Sequence, residues 1–308
     1  MQIIRGLTDF KIEQKSAVAI GKFDGIHKGH QELLSYVLKQ KEEGRCAVVF
    51  TFDKPAGLFF KTAGEKELTP IEEKRKFFEK MGIDIVIEFP LNKETAAIPA
   101  EEFIRDIVSK KMNAAYIAAG SDLSFGAGGC GNSHLLVAMS RQLGYEVCII
   151  DKIFCEGREI SSSLAREEVE KGNMENVAKL LGRAYEITGS VQNGKRLGRK
   201  LGMPTINLYP GKDKLLPPNG VYYSYVTWED QKYRGITNVG LKPTVNDTLC
   251  VNVETYLYDF DGDLYGEEVT ISLLHYKRPE MKFESVDALK NQMRRDLEDG
   301  IIYHNTKS

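Results

Sequence analysis

The stretch Gly21-Lys22-Phe23-Asp24-Gly25-Ile26-His27-Lys28-Gly29-His30 decides how the first half of this chain is read. Ahead of it lies a short apolar run, Ala17 to Ile20, which predicts a buried strand. Behind it Leu33, Leu34, Val37, Leu38 and Lys41 recur at helical spacing until Gly44 ends the helix. Glycines at 21, 25 and 29 let the backbone approach a ligand closely. The free N–H groups and positive dipole end of the following helix attract anionic oxygens. His27 and His30 then face the anion, and an imidazole can donate a hydrogen bond to charge building on a phosphoryl group without a metal. The expected chemistry is attack on the α-phosphate of a nucleotide. An HxGH alone also suits a packed core histidine beside a helix-capping one; the preceding Phe-Asp-Gly and the strand-to-helix setting favour the anion site.

Strand and helix alternate on either side of this motif. Cys46 to Phe52 predicts a strand, Ile71 to Met81 a helix and Ile83 to Phe89 a strand. A helix from Pro99 sets Phe103, Ile104, Ile107 and Val108 on one face; a strand at Ala114 to Ala119, a helix at His134 to Leu143 and a strand at Glu146 to Ile150 follow. This rhythm implies a parallel, Rossmann-like sheet covered by helices, with ligands beyond the carboxyl ends of the strands. Gly21 to His30 lies at such an end, and so does Gly-Ser-Asp-Leu-Ser-Phe-Gly, Gly120 to Gly126.

After two helical segments, Ser163 to Lys171 and Met174 to Leu181, the texture changes. From Tyr185 onward β-branched and aromatic runs alternate with turn signals at Asn193-Gly194, Pro217 to Gly220, Glu229-Asp230 and Asp261-Gly262. These predict a small antiparallel barrel or sandwich. It closes with a helix from Ser285 to Glu298 that is capped by Ser285, buries Val286, Leu289, Met293 and Leu297, and stops at Gly300. The boundary is placed near Gly182, giving domains 1–182 and 183–308.

At 308 residues, 42% hydrophobic and 28% charged, the chain can bury two cores. A formal net charge of −2 gives no electrostatic case for nucleic-acid binding. No apolar run is long enough to cross a bilayer, and the N-terminus lacks the apolar core of a secretory signal. The five cysteines show no CxxC spacing and read as reduced, mostly buried thiols of a cytoplasmic protein. His304 reads as part of a loose tail, His134 as a helix N-terminal residue, and His275 as part of the last strand's exposed face.

The second half has phosphate chemistry of its own. Gly194 to Asn207, GKRLGRKLGMPTIN, sets glycines and cations before a Pro-Thr-x-Asn on an extended segment. Its amides and cations, with Gly194, Arg196, Gly198 and Gly202 among them, can hold phosphates, while the Thr205 hydroxyl and Asn207 amide oxygen are hard ligands for Mg²⁺. Read alone, the same run also suits a basic surface hairpin. Glu254, in Val253-Glu254-Thr255, alternates to the face opposite its neighbours, and as a carboxylate inside a small barrel it could take a proton from a substrate hydroxyl attacking a γ-phosphate. An exposed glutamate paired with a lysine fits the strand pattern alone.

Taken together the motifs resemble, in order and over nearly the full length, those of the prokaryotic bifunctional riboflavin kinase/FMN adenylyltransferases. GKFDGIHKGH is similar to G-x-FDG-x-HxGH, GSDLSFG to G-x-D-F-x-FG, and ISSSLAR at Ile160 to Arg166 to ISSTxIR. GMPTIN is similar to the PTAN motif, NVGLKPT at Asn238 to Thr244 to N-x-G-x-RPT, VETYLYDFDGDLYG to VETHIFDFxxDLYG, and KRPEMKF at Lys277 to Phe283 to LRxExKF. The resemblance implies that the C-terminal module transfers the ATP γ-phosphate to riboflavin. Glu254 would be its base, Thr205 and Asn207 would sit at Mg²⁺, Asn238 near the nucleotide, and Arg278 and Glu280 at the flavin. It implies that the N-terminal module lets the FMN phosphate attack a second ATP, forming FAD and pyrophosphate. His27 and His30 would stabilise the transferring group. Gly21, Phe23, Asp24, Gly25, Lys28, Gly29, Asp122, Ser162, Ser163 and Arg166 would hold the nucleotide. Substrates are then small molecules, with neither nucleic acid nor membrane as partner, and the chain is a monomer or weak homo-oligomer.

The departures cluster in the first domain. Phe52-Asp53-Lys54-Pro55-Ala56 lacks the histidine of FDPHP, and Leu123 to Asn132 lacks the two arginines and aspartate of FRFGxGRxGD. If each missing arginine held a phosphate, its loss costs about 1.5 to 3 kcal/mol, a tenfold or greater weakening. A kinase whose N-terminal domain only binds nucleotide or flavin for regulation is the alternative. Retention of His27, His30, Asp122 and Arg166 favours the bifunctional reading.

Overall fold

The computed structural model describes residues 1–55, 59, 66–192, 203–243 and 249–307. Gly194, Arg196, Gly198 and Gly202, with the Asn193-Gly194 turn, Ala56 and Thr244, lie outside the described residues. By its contacts the chain divides into two units, Met1–Ser162 and Ser163–Ser308. That division falls ahead of the boundary expected near Gly182, because the two intervening helices group with the second unit.

The first unit is a six-stranded parallel sheet. Its strands are β1 (Gln2–Arg5), β2 (Ser16–Ile20), β3 (Cys46–Phe52), β4 (Ile85–Phe89), β5 (Ala114–Gly120) and β6 (Glu146–Ile150), in the spatial order β1-β4-β3-β2-β5-β6. β2 is buried at all five positions, as a central parallel strand covered on both faces must be. Val18, Ile20, Val48 and Phe50 pack in one core, while Ala17, Ala19, Ala47 and Val49 pack in another on the opposite face. Helices α1 (Lys28–Lys39), α2 (Ile71–Met81), α3 (Phe103–Lys111) and α4 (Ser133–Leu143) provide the cover. α3 is wound as a π-helix and buries Phe103, Ile104, Ile107 and Val108. β1 has no counterpart in the sequence reading: it is a mostly exposed edge strand with no apolar alternation. From β2 the chain builds outward to β3 and β4, then returns to β5 on the other side of β2. That reversal opens a crevice at the carboxyl ends of β2 and β5, where ligands of open α/β sheets bind.

The second unit opens at Ser163, within α5 (Ser162–Lys171), and continues through α6 (Met174–Leu181). Its antiparallel sheet comprises β7 (Tyr185–Ser190), β8 (Thr205–Leu208), β9 (Gly220–Trp228), β10 (Gln231–Pro243), β11 (Leu249–Leu257) and β12 (Glu268–Arg278), in the order β7-β12-β9-β10-β11-β8. An isolated bridge between Gln192 and Asn207 brings the two edges together, so the sheet curls toward a barrel. The Glu229-Asp230 turn links β9 to β10, with Glu229 at φ 51°. Inside, the hydroxyls of Ser224, Thr237 and Thr255 form a chain of two 2.8 Å hydrogen bonds, which satisfies the buried polar groups.

The closing helix, α7, departs from expectation. It runs Val286–Lys307, straight through Gly300. Ser285 caps it as expected, accepting from the Ala288 N–H at 3.1 Å. Gly300 does not stop the helix. A Cβ there would run into the Tyr258 hydroxyl and come within 3.4 Å of the Tyr223 ring, so glycine serves the close approach of helix to sheet. Tyr258 donates to the Leu297 carbonyl at 2.8 Å across the same contact. His304, expected in a loose tail, is fully buried among Tyr223, Tyr225 and Tyr258. Val286 is 62% exposed rather than buried. The cysteines also differ: Cys46 is buried, Cys130 is exposed, and Cys148 and Cys155 lie between.

Candidate functional site

Each unit carries a candidate site. In the first, β2 runs into a turn in which Phe23, Gly25 and Ile26 adopt φ of 53°, 78° and 40°. Two of these are bulky residues in a disfavoured region, held there because both side chains are fully buried. The Phe23 ring stands edge-on to Phe78 and folds back against Gly21, where a Cβ would meet it at 3.2 Å. Phe23 therefore shapes the site through its backbone. Asp24 Oδ1 accepts from the Thr69 N–H at 3.2 Å, and its carbonyl accepts from Ser162 Oγ at 2.8 Å, which brings the serine motif to the Phe-Asp-Gly turn.

The turn delivers two imidazoles to the start of α1. His27 is the N-cap: its Nδ1 accepts from the His30 N–H at 3.4 Å, which leaves the ring proton on Nε2. The His27 and His30 rings stack at 3.7 Å and 21°. A Cβ on Gly29 would come within 3.1 Å of the His27 ring, so glycine leaves room for it. Burial pushes the His27 pKa down to about 4, against the upward pull of Asp122 and Glu159. Burial, then His27 and Lys74, hold His30 well below the ordinary imidazole value. Both rings are neutral at pH 7, and each can offer one N–H to an anion. His30 Nδ1 is buried without a hydrogen-bond partner among the described residues. The first turn of α1 contains no acidic residue, and Lys28 is exposed there, so the dipole end is open to negative charge. The structure thus joins the two readings of HxGH: His27 caps the helix and His30 packs on Phe23, and together they line the N-terminal end of α1.

Asp122 follows β5, the neighbour of β2, with its side chain 69% exposed. Lys152 follows β6, the next strand, and reaches Glu159 at 2.8 Å. Lys152 and Glu159 were not legible as site residues; the rule that ligands gather at strand carboxyl ends, applied to Glu146–Ile150, would have found Lys152. Leu123 to Asn132 forms a compact loop in which Ser124–Phe125 pairs with Gly131–Asn132. A Cβ on Gly126 or Gly131 would collide with Ala100, so these glycines pack the loop down and no arginine projects from it. Ser163 and Arg166 belong to the second unit.

In the second unit Val253 and Thr255 of β11 are fully buried and point into the barrel, while Glu254 and Tyr256 face the other way, toward α7. Glu254 therefore does not lie inside the barrel, one of the two placements its strand left open, but lines a cavity of about 390 Å³ between sheet and helix. Thr205 Oγ1 donates to Glu254 Oε1 at 2.7 Å. Asn207 lies directly across from Glu254 in the β8–β11 register, and its Oδ1 accepts from Asn252 Nδ2 at 3.0 Å. Asn238 pairs with Glu254 from β10 and donates to Glu280 at 3.2 Å, while the missing Cβ of Gly240 makes room for that carboxylate. Met203, Met281, Phe283, Leu289 and Met293 form apolar walls. Arg278 lines the cavity too, but its guanidinium is committed to Asp296 at 2.5 to 3.1 Å and to the Pro279 carbonyl, tying the 279–283 turn to α7.

The polar floor fits a hard cation. Thr205 lines the cavity and supplies a hydroxyl oxygen; Asn207, across from Glu254 in the register but outside the lining, supplies an amide oxygen, and beside it Asn252 Oδ1 is buried without a partner among the described residues. Among those residues no cluster of three or more His, Cys, Asp or Glu could hold a metal alone. A cation here would share its shell with substrate oxygens.

Comparison with known proteins finds relatives for both halves of the chain. A family model described as FAD synthetase matches residues 9–164, and one described as riboflavin kinase matches residues 181–302. A Buchnera aphidicola (subsp. Schizaphis graminum) protein named bifunctional riboflavin kinase/FMN adenylyltransferase is 35% identical over 97% of each chain. An Escherichia coli K12 protein of the same name is 33% identical over 96% of each. A crystal structure of a Streptococcus pneumoniae protein named macrolide-efflux protein superposes with a TM-score of 0.85 at 31% identity, covering 96% of this chain and 97% of that one. No helix among the described residues is long and apolar enough to cross a membrane. With matches to both modules and full-length relatives above 30% identity, the chain belongs to the bifunctional riboflavin kinase/FMN adenylyltransferase family.

Proposed function

We infer that the chain makes flavin cofactors in two steps: ATP-dependent phosphorylation of riboflavin to FMN, then adenylylation of FMN to FAD with release of pyrophosphate. We assign adenylylation to residues 1–182 and phosphorylation to 183–308.

In the kinase step the apolar walls hold the isoalloxazine and the ribityl chain reaches the polar floor. Glu254 takes the proton of the 5′-hydroxyl as that oxygen attacks the γ-phosphorus and the bond to the leaving ADP breaks, and Thr205 orients the carboxylate through its hydrogen bond. Glu280 borders the flavin, while Arg278 fixes the turn that carries it. Asn238 positions Glu280 and faces the nucleotide. Thr205 and Asn207 hold Mg²⁺, which when bound neutralises phosphate charge. The family resemblance assigns Gly194, Arg196, Gly198 and Gly202, outside the described residues, to phosphate binding.

In the adenylylation step a phosphate oxygen of FMN attacks the α-phosphorus of ATP in line with the leaving pyrophosphate. His27 donates from Nε2 to a non-bridging oxygen, and His30, stacked upon it, donates alongside. Gly21, Gly25 and Gly29 let the backbone approach, Lys28 and the α1 dipole attract the phosphates, and Ser162 holds the outer ones. Asp24 fixes the turn and Asp122 borders the nucleotide. Small molecules are the only partners of this reading, its setting is the cytoplasm, and the chain acts as a monomer or weak homo-oligomer.

One observation favours two activities over a kinase with a regulatory N-terminal domain: the paired neutral imidazoles at the start of α1. A binding module needs an anion site but not two rings poised to donate. Glu254→Gln is expected to lower FMN formation by roughly 10²- to 10⁴-fold while leaving conversion of supplied FMN to FAD intact. His30→Ala should do the reverse. Loss of both activities in either variant contradicts independent sites.

A further inference from the structure

Lys152 stands where three neighbouring strand ends meet. β2, β5 and β6 lie side by side, and Gly120 of β5 pairs with Ile150 of β6, two residues ahead of Lys152. The Ser121 N–H donates to the Ile150 carbonyl at 3.1 Å, which continues that pairing past the strands and sets Asp122 beside Lys152. The lysine Nζ lies 2.8 and 2.9 Å from the two Glu159 oxygens and 4.0 Å from Asp122 Oδ2. Glu159 is fixed in its turn. It ends the hairpin Phe154–Cys155 with Arg158–Glu159, and the chain beyond it is held by Ile160 N–H to the Ile153 carbonyl and by Ser162 to Asp24. Asp122 follows β5, and β5 is the sheet neighbour of β2, the strand that leads to His27, so the acid pair lies at the strand ends beside the stacked imidazoles; both carboxylates pull the His27 pKa upward.

Two carboxylates facing an anion site are a liability. Uncovered, they repel a triphosphate and an FMN phosphate together, and the loop from Ser124 to Asn132 carries no cation to offset them. We propose that Lys152 is a positioning residue for adenylyl transfer: bridging Glu159 and Asp122, it cancels the acid pair beside His27 and so admits the ATP phosphates. Its action runs through the carboxylates rather than by contact with the phosphates. The inference rests on the adenylyltransferase reading of the first unit.

Steady-state kinetics of FAD formation from supplied FMN test it in the full-length protein. Lys152→Met should raise the KM for ATP by about five- to tenfold, with kcat within about twofold, because ground and transition states are repelled alike. The difference should shrink in high salt. Lys152→Arg should restore the KM. The deciding variant is Lys152→Met with Glu159→Gln, which removes the uncovered charge and should return the KM for ATP to near the wild-type value. FMN formation from riboflavin serves as a control and should be unchanged in all variants. An unchanged KM in Lys152→Met, or a double variant as weak as the single one, overturns the proposal. A wild-type protein that makes no FAD overturns the adenylyltransferase reading and this proposal with it.

Discussion

Replacing Gly300 by alanine should destabilise the second unit, although alanine is the better helix former. Gly300 sits inside α7, where Gly→Ala alone would stabilise by about 1 kcal/mol. The added methyl, however, runs into the Tyr258 hydroxyl and approaches the Tyr258 Cζ at 3.3 Å and the Tyr223 ring at 3.4 Å. Tyr258 is buried and cannot swing freely, so it must give up its hydrogen bond to Leu297, worth about 1 kcal/mol. Overpacking adds about 1 to 3 kcal/mol more. The balance is a net loss of about 1 to 3 kcal/mol, which for a unit of this size lowers its melting temperature by roughly 3 to 10 °C. Leu289, Met293 and Leu297 of the same helix line the cavity, so the displacement should also raise the KM for riboflavin while FAD formation from FMN is unaffected. Scanning calorimetry of the full-length protein and the two product assays check this. A melting temperature that rises, with the riboflavin KM unchanged, would refute the close-approach reading and return Gly300 to the role of an ordinary helix glycine.

Gly29→Ala sets a Cβ within 3.1 Å of the His27 ring and should cut FAD formation by roughly tenfold to a hundredfold, with FMN formation intact; equal rates would show that the ring position is immaterial. Acidification should expose the neutral imidazoles. With the His27 pKa near 4 against an ordinary 6.5, the unfolded chain binds more protons in that interval. Stability is thus complete above pH 6.5 and falls by on the order of 3 kcal/mol as the pH approaches 4. Proton NMR should show His27 uncharged at pH 5.5, and titration near 6.5 would contradict its burial. Arg278→Ala leaves Asp296 buried with Gln292 as its remaining side-chain donor and should cost about 3 kcal/mol or more along with riboflavin affinity; an unchanged affinity would sever the 279–283 turn from the flavin.

Most of the architecture was legible because it repeats. The alternation around β2 to β6 and the turn signals of the second unit follow directly from periodicity and glycine placement. What escaped was decided by tertiary contact. Gly300 reads as a helix stop because nothing local reveals Tyr258 pressing on it, and His304 reads as tail because its burial depends on tyrosines of β9 and just past β11, far from it in sequence. The sites divide in the same way. His27 and His30 stand in a motif whose spacing already suggests an anion site, whereas Glu254 is singled out by the family resemblance and not by its strand pattern. The pairing of Lys152 with Glu159 and Asp122, and the buried Asn252 beneath Asn207, arise only when separate strands are brought side by side.

The central claim is that one chain holds two separate ATP-dependent activities toward flavins. Chromatographic product analysis tests it most directly, with purified protein given riboflavin, ATP and Mg²⁺ in one reaction and FMN, ATP and Mg²⁺ in another. FMN followed by FAD is expected in the first and FAD with pyrophosphate in the second. FMN accumulating in the first with no FAD in either would contradict it and leave a kinase whose paired imidazoles do no chemistry.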